Sequence, residues 1–274
     1  MRTYTPLRYP GGKGQVYNFV VDLLEKNNLI GCSYIEPYAG GAGVAIRLLL
    51  ENKVKKIVIN DYDRSIYAFW FSILNCKDEF VDRLRNCPLT IEEWKRQKEI
   101  QKNKDTVGLL DLGFSTFFLN RTNRSGIIKA GVIGGLKQNG NYKMDCRFNK
   151  EKLIKLIELI YVHRKRIEVF NLDAIEFIKR IKRRRNQFYF IDPPYYEKGQ
   201  DLYVNFFRHQ DHEKLAKFII KSMRKKHYIL TYDLVEQIKE MYSTLPQNDL
   251  CLTYSAETKR KATEILISNP NLFL

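Results

Sequence analysis

The residues best equipped for chemistry are Asp192-Pro193-Pro194-Tyr195, which follow directly on the apolar run Phe188-Tyr189-Phe190-Ile191. A short all-apolar run bounded by prolines reads as a strand buried on both faces of an α/β sheet. The two prolines end that strand and remove two backbone donors, which stiffens a lip at its carboxyl end. Ligands of open α/β sheets sit there. The lip carries one carboxylate, outward-facing carbonyls and an aromatic ring. This set suits the activation of an exocyclic amino group on a nucleobase, a poor nucleophile because its lone pair is delocalised into the ring. The Asp192 carboxylate and the Pro193 carbonyl can each accept one amino hydrogen, which localises the lone pair toward an electrophile. Tyr195 can stack on the base and hold its attack angle. Taken alone, the motif is equally readable as a strand whose Asp merely caps the next helix, so the rest of the chain decides.

Two more acids close strand-like runs upstream. Ser33-Tyr34-Ile35-Glu36-Pro37 leads into the glycine-rich turn Tyr38-Ala39-Gly40-Gly41-Ala42-Gly43, then a helix over 44–51. A second strand, Lys56-Ile57-Val58-Ile59-Asn60-Asp61, follows. A strand, glycine turn, helix and strand with an acid about 20 residues on is the nucleotide-binding unit of a doubly wound fold. Asp61 is placed to take two ribose hydroxyls. The turn lacks the GxGxxG spacing of dinucleotide sites, and Glu36 beside Gly40 would repel a pyrophosphate. A cofactor with a ribose, an adenine and a positive group but no phosphate fits better, and S-adenosylmethionine has that description.

These units predict an α/β chain with a doubly wound, mostly parallel sheet. Further strands are expected over 167–170, with Asp173 just beyond, and over 228–233. The runs 250–254 and 263–267 lie close enough to pair antiparallel. Between them the pattern changes. Residues 75–166 read as an inserted target-recognition region within a catalytic domain formed by 1–74 and 167–274. The insert has charged helical sequence over 78–104, an apolar segment over 112–119, and then Asn120-Arg121-Thr122-Asn123-Arg124-Ser125-Gly126. A β-like, glycine-broken stretch runs on to Arg147, and Gly134-Gly135 with Asn139-Gly140-Asn141 can close a hairpin. From residue 120 to 150 the basic side chains face a single acid, Asp145. Arg and Asn pair bidentately with guanine and adenine edges, so Arg121, Asn123, Arg124 and Arg147 are the candidate nucleic-acid contacts. A basic helix over 179–185 would add sequence-independent phosphate contacts.

Composition bounds the partner. The 274 residues are 44% hydrophobic and 28% charged, with a formal net charge of +16. That excess favours a polyanion, nucleic acid before membrane. No apolar run approaches the roughly 20 residues needed to span a bilayer, and the first residues hold no apolar export signal, which predicts a cytoplasmic protein. The five cysteines are scattered without a CxxC pair and read as reduced thiols. His209-x-x-His212 lacks further ligands at zinc spacing, so no metal is expected. No phosphate-binding GxxxxGK loop is present. Methylating a cytosine ring carbon needs a cysteine nucleophile, usually presented after a proline; here only the reverse order, Cys87-Pro88, occurs.

Taken in order, five blocks resemble the Dam-type family of DNA adenine methyltransferases over nearly the whole chain. They are Pro6-Leu7-Arg8-Tyr9-Pro10-Gly11-Gly12-Lys13, Glu36-Pro37-Tyr38-Ala39-Gly40-Gly41-Ala42-Gly43, Asn60-Asp61, Leu119-Asn120-Arg121 and Asp192-Pro193-Pro194-Tyr195. The resemblance implies methyl transfer from S-adenosylmethionine to the amino group of an adenine flipped out of double-stranded DNA, at a specific site. It implies that Tyr9 and Lys13 contact the cofactor, that Asp61 holds its ribose and Asp173 its adenine, and that Asp192 lies beside both cofactor and target amine. The best-known members follow Leu-Asn-Arg with an aromatic-Asn-Gly pattern, whereas this chain reads Thr122-Asn123-Arg124-Ser125-Gly126-Ile127. The resemblance therefore carries over adenine as the target and not GATC as the site. A cognate restriction endonuclease is an open partner. Two other readings remain: the same lip acting on an exocyclic amine in RNA or on a protein glutamine, and a catalytically silent DNA-binding relative. The intact Asp192–Tyr195 lip and Asp61 speak against the second.

Overall fold

Strands that are apolar on both faces can be buried only in a sheet covered from both sides. The computed structural model, which describes residues 4–8, 16–197, 207–255 and 259–274, has that architecture. Its strands are β1 (Ser33–Glu36), β2 (Lys56–Asn60), β3 (Ile167–Phe170), β4 (Gln187–Ile191), β5 (His227–Asp233), β6 (Gln247–Ser255) and β7 (Lys259–Ser268). They form one sheet in the order β3-β2-β1-β4-β5-β7-β6. The four pairings along this order down to β5 are parallel, as Ile35↔Tyr189 and Phe188↔His227 show. The two last strands pair antiparallel as expected, and β7 inserts beside β5 with Asp233 opposite Glu264.

Alternation along each strand assigns the two faces. Tyr34, Ile57, Ile59, Phe188 and Phe190 pack with α1 (Val16–Lys26), α2 (Gly43–Leu50) and α3 (Arg64–Asn75). Ile35, Val58, Tyr189 and Ile191 pack with α8 (Ala174–Ile181), α9 (His209–Ser222) and α10 (Glu236–Met241), the helices that follow the insert. From β1 the chain winds outward through β2 and β3, then returns to place β4 on the other side of β1. That reversal opens a crevice beyond the carboxyl ends of β1 and β4, where such folds bind ligands.

The insert is built from α4 (Lys77–Asn86), α5 (Ile91–Lys102), α6 (Leu109–Thr122) and α7 (Lys150–Val162). The apolar segment at 112–119 is the middle of α6, a helix buried from Leu112 to Thr122. It crosses α3 so closely that a Cβ on Gly113 would stand 2.4 Å from the Ala68 carbonyl oxygen. Around this crossing Phe69 stacks on Phe117 at 6.0 Å, and Phe80, Phe114, Phe118 and Phe148 complete an aromatic cluster continuous with the sheet's core. Two expectations are corrected. The stretch at 134–142 forms no strand pair; the insert's single bridge is Asn123↔Val132, and the Gln138 amide closes the loop onto the carbonyls of Ile133 and Gly135. A side-chain amide there takes the place of a ladder. The basic helix stops at Ile181, so Arg183 and Arg184 lie past it, and Arg184 reaches both oxygens of Glu168 at 3.0 Å.

One buried amide ties the strand ends together. Asn60, only 1% exposed, donates to the carbonyls of Pro37 (2.9 Å) and Leu172 (3.0 Å) and accepts from the Leu172 N–H (3.0 Å). It thus fastens the loops that leave β1 and β3 to the end of β2. Asn60→Ala strands three backbone groups, one buried and two part-buried, so unfolding free energy should fall by about 2–3 kcal/mol. Urea denaturation reads this directly; an unchanged midpoint would mean that the strand ladder alone holds these ends.

Candidate active site

Three acids meet at the crevice: Glu36 is the last residue of β1, Asp61 follows β2 and Asp192 follows β4. Burial pushes the Glu36 carboxyl up to about 8, and the charge of Asp192 adds to the effect. Asp61 is pushed up to about 7, chiefly by burial and then by Asp63, against the pull of the backbone N–H groups of Gly40 and Asp63 at 2.8 and 2.9 Å. The glycine turn is gripped from both sides. The Gly40 N–H donates to Asp61, and its carbonyl accepts from the buried Trp70 indole of α3 at 3.0 Å. Asp173 caps α8, its Oδ1 accepting from Ile175 (3.0 Å) and Glu176 (3.2 Å). Tyr9 and Lys13 lie outside the described residues.

The lip after β4 is fixed by side chains on the neighbouring strands. Thr231 Oγ1 on β5 donates to Asp192 Oδ1 at 2.7 Å. Asp233, two residues on and therefore on the same face, accepts the N–H groups of Tyr196 and Glu197 at 2.8 and 2.9 Å. The Tyr195 hydroxyl donates to Glu264, which β7 sets directly opposite Asp233. Tyr196 rests its hydroxyl against His209 Nδ1 of α9 at 2.8 Å. His212 on the same helix is fully buried against the Tyr232 hydroxyl (2.9 Å), and burial lowers it to about 4, so it is a neutral core group. Sequence reading assigned no role to Asn60, Thr231, Asp233 or Glu264. Their signal was present: a polar residue inside an apolar strand needs a buried partner.

The candidate DNA contacts separate into two kinds. Asn120 and Asn123 are 2% and 0% exposed. Asn120 clasps the backbone of Arg8 through both its N–H (2.7 Å) and its carbonyl (2.6 Å), and reaches the Gly126 carbonyl at 2.8 Å. Gly126, at φ +76°, passes so near Arg8 that a Cβ would stand 2.7 Å from its carbonyl oxygen. Asn123 accepts from the Trp94 indole (2.7 Å) and donates to the carbonyls of Ile127 and Ile128 (3.0 and 2.9 Å), so its amide faces the fold. Arg124 and Arg147 are exposed. Arg121 lies between these extremes. It is 9% exposed, its Nε has no hydrogen-bond partner, and burial together with the charges of Arg8 and Arg147 lowers it to about 10. Three guanidinium groups gathered in this way form an anion-attracting corner.

A seven-stranded, mostly parallel sheet with a glycine turn after its first strand and acids at the ends of β1, β2 and β4 is the architecture of S-adenosylmethionine-dependent methyltransferases. The chain belongs to the D12 class N6 adenine-specific DNA methyltransferases, whose family model matches residues 9–261. It is 26% identical over 233 residues to the Type II methyltransferase M.MjaIII of Methanocaldococcus jannaschii, covering 78% of each chain. It is 23% identical over 241 residues to the Type II methyltransferase M.CviBI of Paramecium bursaria Chlorella virus NC1A, covering 86% of this chain and 85% of that one. The protein is therefore an adenine-specific DNA methyltransferase with S-adenosylmethionine as methyl donor. The donor set fits that cofactor: among the described residues no cation acts on the raised carboxyls of Glu36 and Asp61, which suits a positively charged ligand bearing hydroxyls and no phosphate. Among the described residues, no helix is long and apolar enough to cross a membrane.

Two outcomes are expected. Glu36 and Asp61 have folded-state values of about 8 and about 7, above their ordinary ones, so the stability tied to their neutral forms is complete at low pH. It is lost as pH rises through those values. The cofactor-free protein should thus lose thermal stability as pH rises from roughly 4 to about 8, between the ordinary and the raised values of these carboxyls, while affinity for S-adenosylmethionine increases with release of protons. Calorimetry in buffers of different ionisation enthalpy measures that release, and its absence would show that neither carboxyl titrates on binding. In the loop that follows α6, Asn123→Ala should cost about 2–4 kcal/mol of stability through the orphaned partners. Arg124→Ala should leave the melting temperature in place and weaken DNA binding, which thermal melts and a binding titration distinguish.

Proposed function

We propose that the adenine is flipped out of the duplex and held at the lip, with Asp192 and the Pro193 carbonyl each accepting one of its amino hydrogens and Tyr195 lying against the ring. The observation that carries this reading is the Thr231–Asp192 hydrogen bond at 2.7 Å, which sets the orientation of the carboxylate before substrate arrives. A preoriented acceptor aimed at the nitrogen where positive charge develops stabilises the transition state without reorganising during it. The cofactor supplies the electrophilic methyl group. Asp61 takes its two ribose hydroxyls, Asp173 its adenine, and Glu36, Tyr9 and Lys13 the remainder, with Gly40 letting the backbone approach. Flipping is needed because the amino group lies inside the paired duplex.

Within this proposal residues 75–166 form the recognition region of a catalytic domain made of 1–74 and 167–274. Arg124 and Arg147 are the side chains free to meet base edges, Arg121 supports a backbone phosphate at the guanidinium corner, and Asn123 shapes the loop that presents them. The names of both relatives, Type II methyltransferases, favour a place in a restriction-modification system with a cognate endonuclease as partner. A DNA substrate favours a cytoplasmic enzyme.

The test is transfer of labelled methyl from S-adenosylmethionine to duplex DNA, with RNA in parallel. Asp192→Ala should lose about 3 kcal/mol or more of transition-state stabilisation, a hundredfold or greater fall in kcat, with the melting temperature kept. Near-normal turnover in that variant would remove Asp192 from the mechanism, and methylation of RNA alone would overturn the assignment of substrate.

A further inference from the structure

We infer that Glu264 is a positioning residue of the methyl transfer: it latches the Tyr195 hydroxyl and so fixes the aromatic ring before DNA binds. The inference rests on the proposal that Tyr195 meets the target base. Glu264 is 2% exposed, on a strand otherwise filled at this depth by Ile265, Leu266 and Ile267. A carboxyl in such a place is costly unless it is hydrogen-bonded. It sits directly across from Asp233, a second buried carboxyl at 4% exposure. Two acids facing one another across a sheet repel, so the pair needs donors, and three consecutive lip residues supply them. Tyr195 gives its hydroxyl to Glu264, while Tyr196 and Glu197 give their backbone N–H groups to Asp233. The lip is therefore drawn down onto the acid pair at three successive residues, immediately after Asp192 and the two prolines.

The consequence concerns the ring and not the hydroxyl's own chemistry. With its far end bound to the sheet, the Tyr195 ring cannot swing about its first side-chain torsion, and the face it offers to a base is set in advance. Preorganisation of this kind acts on the transition state, because a nucleophile held off its attack angle loses rate with little change in cofactor binding. A purely structural Glu264 would instead move the melting temperature and leave the ratio of kcat to KM for S-adenosylmethionine undisturbed.

The experiment is a double-mutant cycle on the purified full-length enzyme with duplex DNA that the wild type methylates. Y195F keeps the ring and removes the latch at a partly exposed position; E264L removes the acceptor; E264Q keeps an acceptor oxygen. Y195F and E264L should each lower kcat by about tenfold with KM for S-adenosylmethionine nearly unchanged, E264Q should retain most of the activity, and Y195F/E264L should be no slower than either single variant. Losses that multiply in the double variant, or a wild-type kcat in Y195F, overturn the inference. Should E264L fail to fold, Y195F and E264Q decide it alone: a slow Y195F beside an active E264Q supports the latch, and any other combination rejects it. A wild-type enzyme that transfers no methyl to duplex DNA would instead sink the proposed function, independently of these variants.

Discussion

The constraint on which the rest depends is that carboxyls and amides must be held at the ends of strands whose interiors tolerate a polar group only with a buried partner. Parallel strands buried on both faces leave their carboxyl termini, where a crevice opens, as the place where these acids collect. Glu36, Asp61 and Asp192 all stand there, and none could be aimed if the strand ends frayed. Asn60 prevents fraying on one side of β1 by joining two loops to the end of β2 through one amide. On the other side, Thr231, Asp233 and Glu264 do the same for the lip after β4. The two halves solve one problem with different groups: a neutral amide where backbone carbonyls must be joined, and acids where N–H and hydroxyl donors must be received.

Much of this was legible in the sequence, for a definable reason. An apolar run ending in an acid is a strong local signal, so β1, β2 and β4 and the groups Glu36, Asp61 and Asp192 could be placed without coordinates. The antiparallel pairing of the last two strands was also readable from their proximity. Their order was not, because nothing local tells β7 to slide between β5 and β6, and it is that order which carries Glu264 to Tyr195. Long-range partners were invisible in general. Asn123 looks like a base reader when only its neighbours are seen; its amide is taken up by Trp94, 29 positions earlier, and by two carbonyls just downstream. The loop at 134–142 has hairpin composition but closes on the amide of Gln138, a choice that glycine and asparagine spacing does not encode.

Charge explains the remaining asymmetry. The chain carries an excess of +16, yet three acids stand at the crevice, and the guanidinium groups of Arg8, Arg121 and Arg147 gather beside the loop that follows α6. A polyanion approaching this surface meets attraction at the guanidinium corner, while the carboxyls of the crevice suit a cationic cofactor.

The α3–α6 crossing, closed so tightly at Gly113 that no side chain fits, has a consequence for how such an enzyme changes over evolutionary time. On the proposed reading, a recognition module welded to the sheet by stacked phenylalanines does not acquire a new target by tilting as a body, because any tilt would disturb the glycine turn that Trp70 holds. Variation is left with the chain between Ile127 and Asn149, on whose crest Leu136 and Tyr142 are exposed. Lineages of this enzyme would be expected to diverge by rewriting that crest while the frame beneath it stays fixed, so that a new sequence preference arises without a new fold and without loss of activity on the way.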